Sequence, residues 1–446
     1  MNEQFSNDRE QGGLTTDSGQ PLPLTGVSIG ATLAGPFVTA TMVQRWTNQG
    51  ALPVEALWRF PVPQDATVRS LVVERGGRRL VAQVSARDEA FDHFDRGIED
   101  GSLAALLDAE TEGLLAMRLG NLGAGESVLV ELSWVSMLEE SANLLRLRLP
   151  TAMAPRYFPA SYNDNAQVNK RERLELPWAS RVPYGISVDV DILEASDMVA
   201  VTSPSHELAI NLSASPVRVR LGGDFARMDR DFVLDLKPKT NRPDRAWLER
   251  DGRGTWIGAD IRIPDSGSSL ERKVAILLDI SGSMSGRSLE AARRTLCAGI
   301  ASLGVQDDFG LFAFNNEVIA MDGSPRRVSD SSLALARAWV NHLQASGGTE
   351  LLPALEQVYS SGTWSDVLVI TDGDIGNDHE VALAAGRQVP AGTRTSLLGI
   401  GDAPALDALA AISRAGGGAC ATVHPGERLE ARALSLFSRS EEHTSE

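Results

Sequence analysis

Cysteine is nearly missing from this chain. Cys297 and Cys420 are the only two in 446 residues, too few for a disulfide framework, and no Cys/His cluster has zinc spacing. Basic residues are also in short supply, with 42 Lys plus Arg against 59 Asp plus Glu and a formal net charge of −17. That excess of acid repels nucleic acid and anionic lipid at long range, which argues against nonspecific binding to either. No apolar run approaches the roughly 18 residues of a membrane-spanning helix, so membrane insertion of the visible chain is not expected. The first 20 residues lack the basic start and apolar core of a secretory signal and read as a polar, disordered leader. Aromatics make up only 5%, and Trp46, Trp58 and Trp134 read as core residues rather than as a binding platform.

Several familiar chemistries fail on spacing. Gly282 and Gly286-Arg287-Ser288 stand between a strand and a helix like a phosphate-binding loop, but an Arg replaces the needed Lys and the glycines are too close. Gly399-Ile400-Gly401 has Pro404 where a dinucleotide fingerprint needs its third glycine. An aspartyl-phosphate mechanism would want an acid two residues after Asp279, where Ser281 stands. The histidines His93, His206, His342, His379 and His424 are scattered, and none has an evident nucleophile beside it.

What is present is a globular composition, 43% hydrophobic, with length for two to four domains at roughly 100–200 residues each. Between about residues 24 and 236 the strands alternate. Val128, Val130, Leu132 and Trp134 interleave with Leu129, Glu131 and Ser133, Leu145, Leu147 and Leu149 with Arg146 and Arg148, and Ile186, Val188, Val190 and Ile192 with Ser187, Asp189 and Asp191. A period of two predicts one buried and one wet face, as in antiparallel β-sandwiches. One helix is expected over residues 86–99, with Ala90, Phe91, Phe94 and Ile98 on one side. A Pro-rich stretch, residues 150–183, is expected to divide this half into two β units.

From Lys273 the pattern changes to short, continuous apolar runs: 274–278, 309–314, 367–370 and 396–398. Strands buried on both faces look like this. Leu289, Ala292, Leu296, Ile300 and Leu303 share a helical face, with Ser288 expected as N-cap, and Leu333, Ala336, Val340 and Leu343 repeat it. The alternation predicts a doubly wound, Rossmann-like α/β domain whose ligands bind at the carboxyl ends of the strands.

Three loops should meet at that edge: Asp279-Ile280-Ser281-Gly282-Ser283-Met284, Ser346-Gly347-Gly348-Thr349-Glu350 and Thr371-Asp372-Gly373-Asp374. They offer carboxylates and hydroxyls, hard oxygen donors that suit Mg²⁺ (or Mn²⁺). Asp-x-Ser-x-Ser with a distant Thr and a distant Asp resembles the metal-ion-dependent adhesion site of von Willebrand factor type A domains. By that resemblance Ser281, Ser283 and Thr349 ligate the ion through hydroxyls. Asp279 and Asp372 hold it directly or through water, and one coordination position stays open for a partner's acidic group.

The stretch 25–157 resembles the VIT (vault protein inter-alpha-trypsin) domain. The likeness rests on Asn48, Val54-Glu55-Ala56, Phe60-Pro61-Val62-Pro63, Glu89-Ala90, Gly120-Asn121-Leu122, Gly125-Glu126, Leu149-Pro150-Thr151 and Pro155-Arg156-Tyr157. A VIT domain ahead of a type A domain is the layout of inter-alpha-trypsin inhibitor heavy chains and their bacterial relatives. The expected organisation is a leader (1–20), a VIT domain (21–157), an intervening β-rich domain (158–270) and a type A domain (271–438). Residues 439–446 look like a translated sequencing-adapter oligonucleotide, so the natural chain is expected to continue past Ser438.

These readings predict a multidomain, non-enzymatic binding protein. Divalent metal at Asp279, Ser281, Ser283, Thr349 and Asp372 would capture a carboxylate on a protein or polysaccharide partner. The rival is a metal-independent assembly or regulatory scaffold. A metal-dependent hydrolase ranks third, because nothing near the loops reads as a general base. The family resemblance implies work at a cell surface or outside the cell.

Overall fold

The computed structural model describes residues 24–151 apart from 112 and 142–143, 185–223, 230–239, 245–260 apart from 252–253, and 271–424 apart from 374, 376 and 377. The leader, most of the Pro-rich stretch with Pro155-Arg156-Tyr157, Asp374 and the adapter-like tail lie outside the described residues.

The chain opens with β1 (Leu24–Ala34), β2 (Phe37–Thr47), β3 (Val54–Pro61), β4 (Thr67–Arg75) and β5 (Arg78–Val81). Helix α1 (Arg87–Glu99) leads to β6 (Ala104–Thr111), β7 (Leu114–Leu122), β8 (Ser127–Met137), β9 (Glu139–Ser141) and β10 (Leu144–Leu149). Then come β11 (Ile186–Ile192), β12 (Met198–Thr202), β13 (Leu208–Asn211), β14 (Val217–Leu221) and β15 (Phe232–Pro238), and the hairpin β16 (Arg245–Asp251) and β17 (Gly254–Asp260). Strands β13-β14-β11-β1-β2-β8-β4-β5 form one sheet, β12-β15-β10-β9 a second and β3-β7-β6 a third. The period-two pattern does its expected job: Val128, Val130, Leu132 and Trp134 of β8 are all buried. Helix α1 lies on the third sheet, so close at Gly120 that a Cβ there would fall 1.8 Å from the terminal methyl of Ile98, which would have to shift.

The expected division of this half does not describe its sheets. β11 and β14, assigned to a separate intervening domain, share the sheet of β1, and β10 pairs with β15. Side chains from β1 through β15 join one hydrophobic core. Nor is the pairing all antiparallel. β1 and β11 run parallel, from Val27 opposite Ile186 to Leu33 opposite Ile192. The elements β2 to β10 all lie between these two strands in sequence, ample chain for the crossover that a parallel pair needs.

The expected wet face of β10 is also dry. Arg146 is 0% exposed and Arg148 is 8% exposed. Arg146 makes a two-pronged pair with Asp235 of β15, at 2.6 and 2.7 Å, and its Nη1 reaches the Thr422 carbonyl in the second half at 3.5 Å. The α/β half covers that face; the buried Arg146 guanidinium is tolerated because it is paired, while Arg148 stands 3.6 Å from Asp231 Oδ2.

That half runs β18 (Lys273–Asp279), α2 (Arg287–Ser302), β19 (Asp308–Phe314), β20 (Val318–Ala320), β21 (Arg326–Arg327), α3 (Asp330–His342), α4 (Leu351–Ser360), β22 (Asp366–Thr371), α5 (Asp378–Gln388), β23 (Arg394–Ile400), α6 (Leu406–Ala415) and β24 (Gly417–Val423). Its sheet has the order β20-β19-β18-β22-β23-β24, with β19, β18, β22, β23 and β24 mutually parallel. Val274, Ile276 and Leu278 of β18 face α2 and α3, while Ala275 and Leu277 face α4, α5 and α6. Both faces are covered, which is why the strand reads as an unbroken apolar run. Ser288 is not the N-cap of α2. Gly286 holds that position at φ +78°, without a side-chain cap, and Ser288 lies inside the first turn.

The strand order fixes where to look. From β18 the chain passes to β19 on one side and returns to β22 on the other. The carboxyl ends of β18 and β22 therefore flank the point where the winding reverses, where open parallel sheets form their crevice.

Candidate metal site

β18 delivers Asp279 to that crevice with 0% exposure. The Ser281 backbone N–H donates to Asp279 Oδ1 at 2.8 Å, closing a tight turn, and the Thr371 hydroxyl at the end of β22 donates to Oδ2 at 2.5 Å. Both carboxylate oxygens are thus oriented. Ser281 Oγ and Ser283 Oγ lie 3.0 Å apart across a single 3-10 turn, Gly282–Met284. Met284 is fully buried beneath them and anchors the turn.

The second loop is stitched to the first by backbone. Ser346 N–H donates to the Ile280 carbonyl at 2.8 Å and Gly282 N–H to the Gly347 carbonyl at 2.9 Å. Gly347 adopts φ +79°, and a Cβ there would lie 2.4 Å from Asn316 Oδ1. That oxygen accepts from the Gly348 N–H at 2.8 Å, and Asn315 Nδ2 donates to the Ser346 carbonyl at 2.9 Å. Thr349, two residues past the Gly347 anchor, is 2% exposed. In the third loop the Thr371 hydroxyl also accepts from Gly373 N–H at 3.0 Å, fixing the chain on either side of Asp372.

Asp279 and Asp372 act on each other electrically. Burial, and next the negative charge of Asp372, push the Asp279 carboxyl up to about 7 against the opposing hydrogen bonds from Thr371 and Ser281. Among the described residues no group of three or more His, Cys, Asp or Glu side chains is placed to hold a metal ion. A cation here would have to draw on hydroxyl oxygens. The donors in these loops are all hard oxygens, and a close carboxylate pair gains from a positive charge between its members, so the residues fit a divalent cation of the Mg²⁺ or Mn²⁺ kind.

The three loops expected to converge therefore do so through the hydrogen bonds of Gly282, Ser346 and Thr371. Sequence reasoning passed over Thr371 as an orienting group and Asn315-Asn316 as the clamp on the second loop. An Asn pair immediately after β19, at the same sheet edge, was the available signal. His424, set aside in sequence as one of several scattered histidines, is 7% exposed and stands 2.9 Å from Asp402 across the carboxyl ends of β24 and β23.

Two domains are defined by fold and sequence together: the family model described as Vault protein inter-alpha-trypsin domain matches residues 24–134, and that of the von Willebrand factor type A domain matches residues 272–421. The chain belongs to the proteins that join a VIT domain to a von Willebrand factor type A domain. Von Willebrand factor A domain-containing protein 5A of Homo sapiens is 25% identical to it over 468 residues, covering 96% of this chain and 58% of that protein. Protein mono-ADP-ribosyltransferase PARP4 of Mus musculus is 21% identical over 425 residues, covering 91% of this chain but 21% of that protein. The chain thus spans little more than half of the human protein 5A. Among solved structures, a von Willebrand factor type A protein from Catenulispora acidiphila aligns with 44% of this chain and 46% of its own, at 20% identity and a TM-score of 0.35.

Proposed function

We propose that this protein is a non-enzymatic, divalent-cation-dependent binding protein that captures an acidic group on a protein or polysaccharide partner. The type A domain supports a role in protein interaction at the coarser level. The observation that carries the finer reading is the buried Asp279 carboxylate, oriented by Thr371 and Ser281 and opposed by the charge of Asp372, beside two serine hydroxyls 3.0 Å apart.

In this reading Ser281, Ser283 and Thr349 would hold a Mg²⁺ or Mn²⁺ ion through hydroxyl oxygens, with Asp279 and Asp372 directly or through water. Bound there, the cation supplies a positive centre with a coordination position for a partner carboxylate. The chain's own residues do the preparatory work. Thr371 keeps Asp279 in one rotamer, the Gly282–Gly347 hydrogen bond holds the two hydroxyl-bearing loops together, and Asn316 prevents the second loop from drifting.

The test is calorimetric titration of Mg²⁺ or Mn²⁺ into the wild-type chain and into Asp279→Ala. Binding by the wild type that is lost in the variant is expected. Equal heats from both, or heat from neither, would refute the site and favour an assembly scaffold that works without metal.

A further inference from the structure

Residues 401–405, between β23 and α6, touch the candidate metal site on one side and the β-rich half on the other. On the first side, Gly373 follows Asp372 directly and sits at φ +84°, so close to the loop that a Cβ on it would lie 2.9 Å from the Ala405 nitrogen. Arg287, the first residue of α2 beyond the Asp279 turn, pairs with Asp402 at 3.4 Å. On the second side, the backbone N–H of Asp231, just ahead of β15, donates to the Asp402 carbonyl at 3.0 Å. His424 Nε2 stands 2.9 Å from Asp402 Oδ1, and Arg146 of β10 reaches the neighbouring Thr422 carbonyl. The His424 imidazole, aided by the charges of Arg287 and Arg230, holds the Asp402 carboxyl below the usual carboxylate range despite its burial. One residue thus gathers contacts from α2, from the end of β24 and from both the backbone and the charge of the β-rich half.

We propose that Asp402 is a positioning residue for the candidate metal site, through which docking of the β-rich half and cation occupancy stabilise each other. The proposal rests on the metal reading above. Gly373 has no side chain to adjust, so the path of the Asp372 loop follows the loop it leans on. The Asp402 carboxylate fixes that loop to β24 and α2, and the Asp402 backbone carbonyl fixes it to the chain just ahead of β15. A small divalent ion demands close control of ligand positions, and restraint of a ligand's backbone is one way to supply it. Linkage then requires the converse: an ion that orders Asp372 tightens the contact between the halves by the same factor.

The experiment compares the full chain with Asp402→Ala and Asp402→Asn. Mg²⁺ affinity by calorimetry is expected to fall about fivefold in the alanine variant, with a smaller loss in the asparagine variant, whose amide oxygen can still face His424. A second readout uses the wild type alone. Saturating Mg²⁺ is expected to slow amide hydrogen exchange in β10 and β15, strands that contribute none of the five proposed ligands. Wild-type binding with undiminished affinity in Asp402→Ala would overturn the positioning role of the Asp402 side chain, and unchanged exchange in β10 and β15 would overturn the coupling between the halves. Should Asp402→Ala fail to fold, the exchange experiment decides by itself. A wild-type chain that takes up no cation overturns the metal reading and the coupling with it.

Discussion

Asp279 is a carboxyl kept at odds with its surroundings. Its folded-state pKa of about 7 lies above the ordinary aspartate value of 3.8. The folded chain therefore holds this proton more tightly than the unfolded chain does. The resulting stability is fully present below the unfolded value and is lost as pH rises through the folded one. Cation-free protein should lose thermal stability between about pH 4 and 7 on this account. Asp279→Asn, which keeps the shape without the charge, should flatten that slope and abolish stabilisation by Mg²⁺. Thermal melts across that range check it, and a variant that keeps the wild-type slope would contradict the assignment. Gly347 gives a second prediction. Its φ is positive, and a methyl group placed on it would meet the Asn316 oxygen at 2.4 Å, so there is no room for one. Gly347→Ala should cost about 1–3 kcal/mol in urea denaturation and weaken cation binding at the same time.

Among the elements, β18 shows most directly how pattern becomes structure. Its residues alternate between two helical layers, and Leu277 is fully buried. Leu277→Ala should destabilise the fold by about 2–5 kcal/mol. Leu80→Ala on the edge strand β5, where that side chain is 52% exposed, should stay within about 0.5 kcal/mol. Chemical denaturation of both variants checks the contrast. Element types were legible because burial on one face or two leaves different periods in the chain. The Asp279-x-Ser-x-Ser turn was legible because its residues are consecutive. Cap and clamp residues were less so. Ser288 looks like an N-cap, but the chain enters α2 through the left-handed Gly286, which supplies the turn by backbone conformation alone. Thr371 and Asn316 act on partners 92 and 32 residues away, so even where the Asn pair after β19 marks the place, local spacing does not name the partner.

At the scale of the whole molecule the sequence misled in one consistent way: it showed which face of a strand is apolar but not what covers the other. Arg146 and Arg148 alternate with leucines as solvent-facing residues do, yet the α/β half buries them. The parallel match of β1 with β11 was hidden for a related reason, since an alternating strand reads the same whichever way its neighbour runs. Arg146→Ala should cost about 3–5 kcal/mol because it strands Asp235 in the interior, whereas replacing both partners by apolar residues of similar size should recover most of that loss. A double-mutant cycle in denaturant measures the difference, and additive losses would show that the pair does not act as a unit.

The central claim concerns the meeting of three loops around one ion, and crystals grown with Mn²⁺ test it most directly. The account predicts an anomalous scattering peak bounded by the hydroxyl oxygens of Ser281, Ser283 and Thr349, with oxygen distances of roughly 2.0–2.2 Å. No peak there at saturating Mn²⁺, or one bound only by surface carboxylates elsewhere, would contradict it.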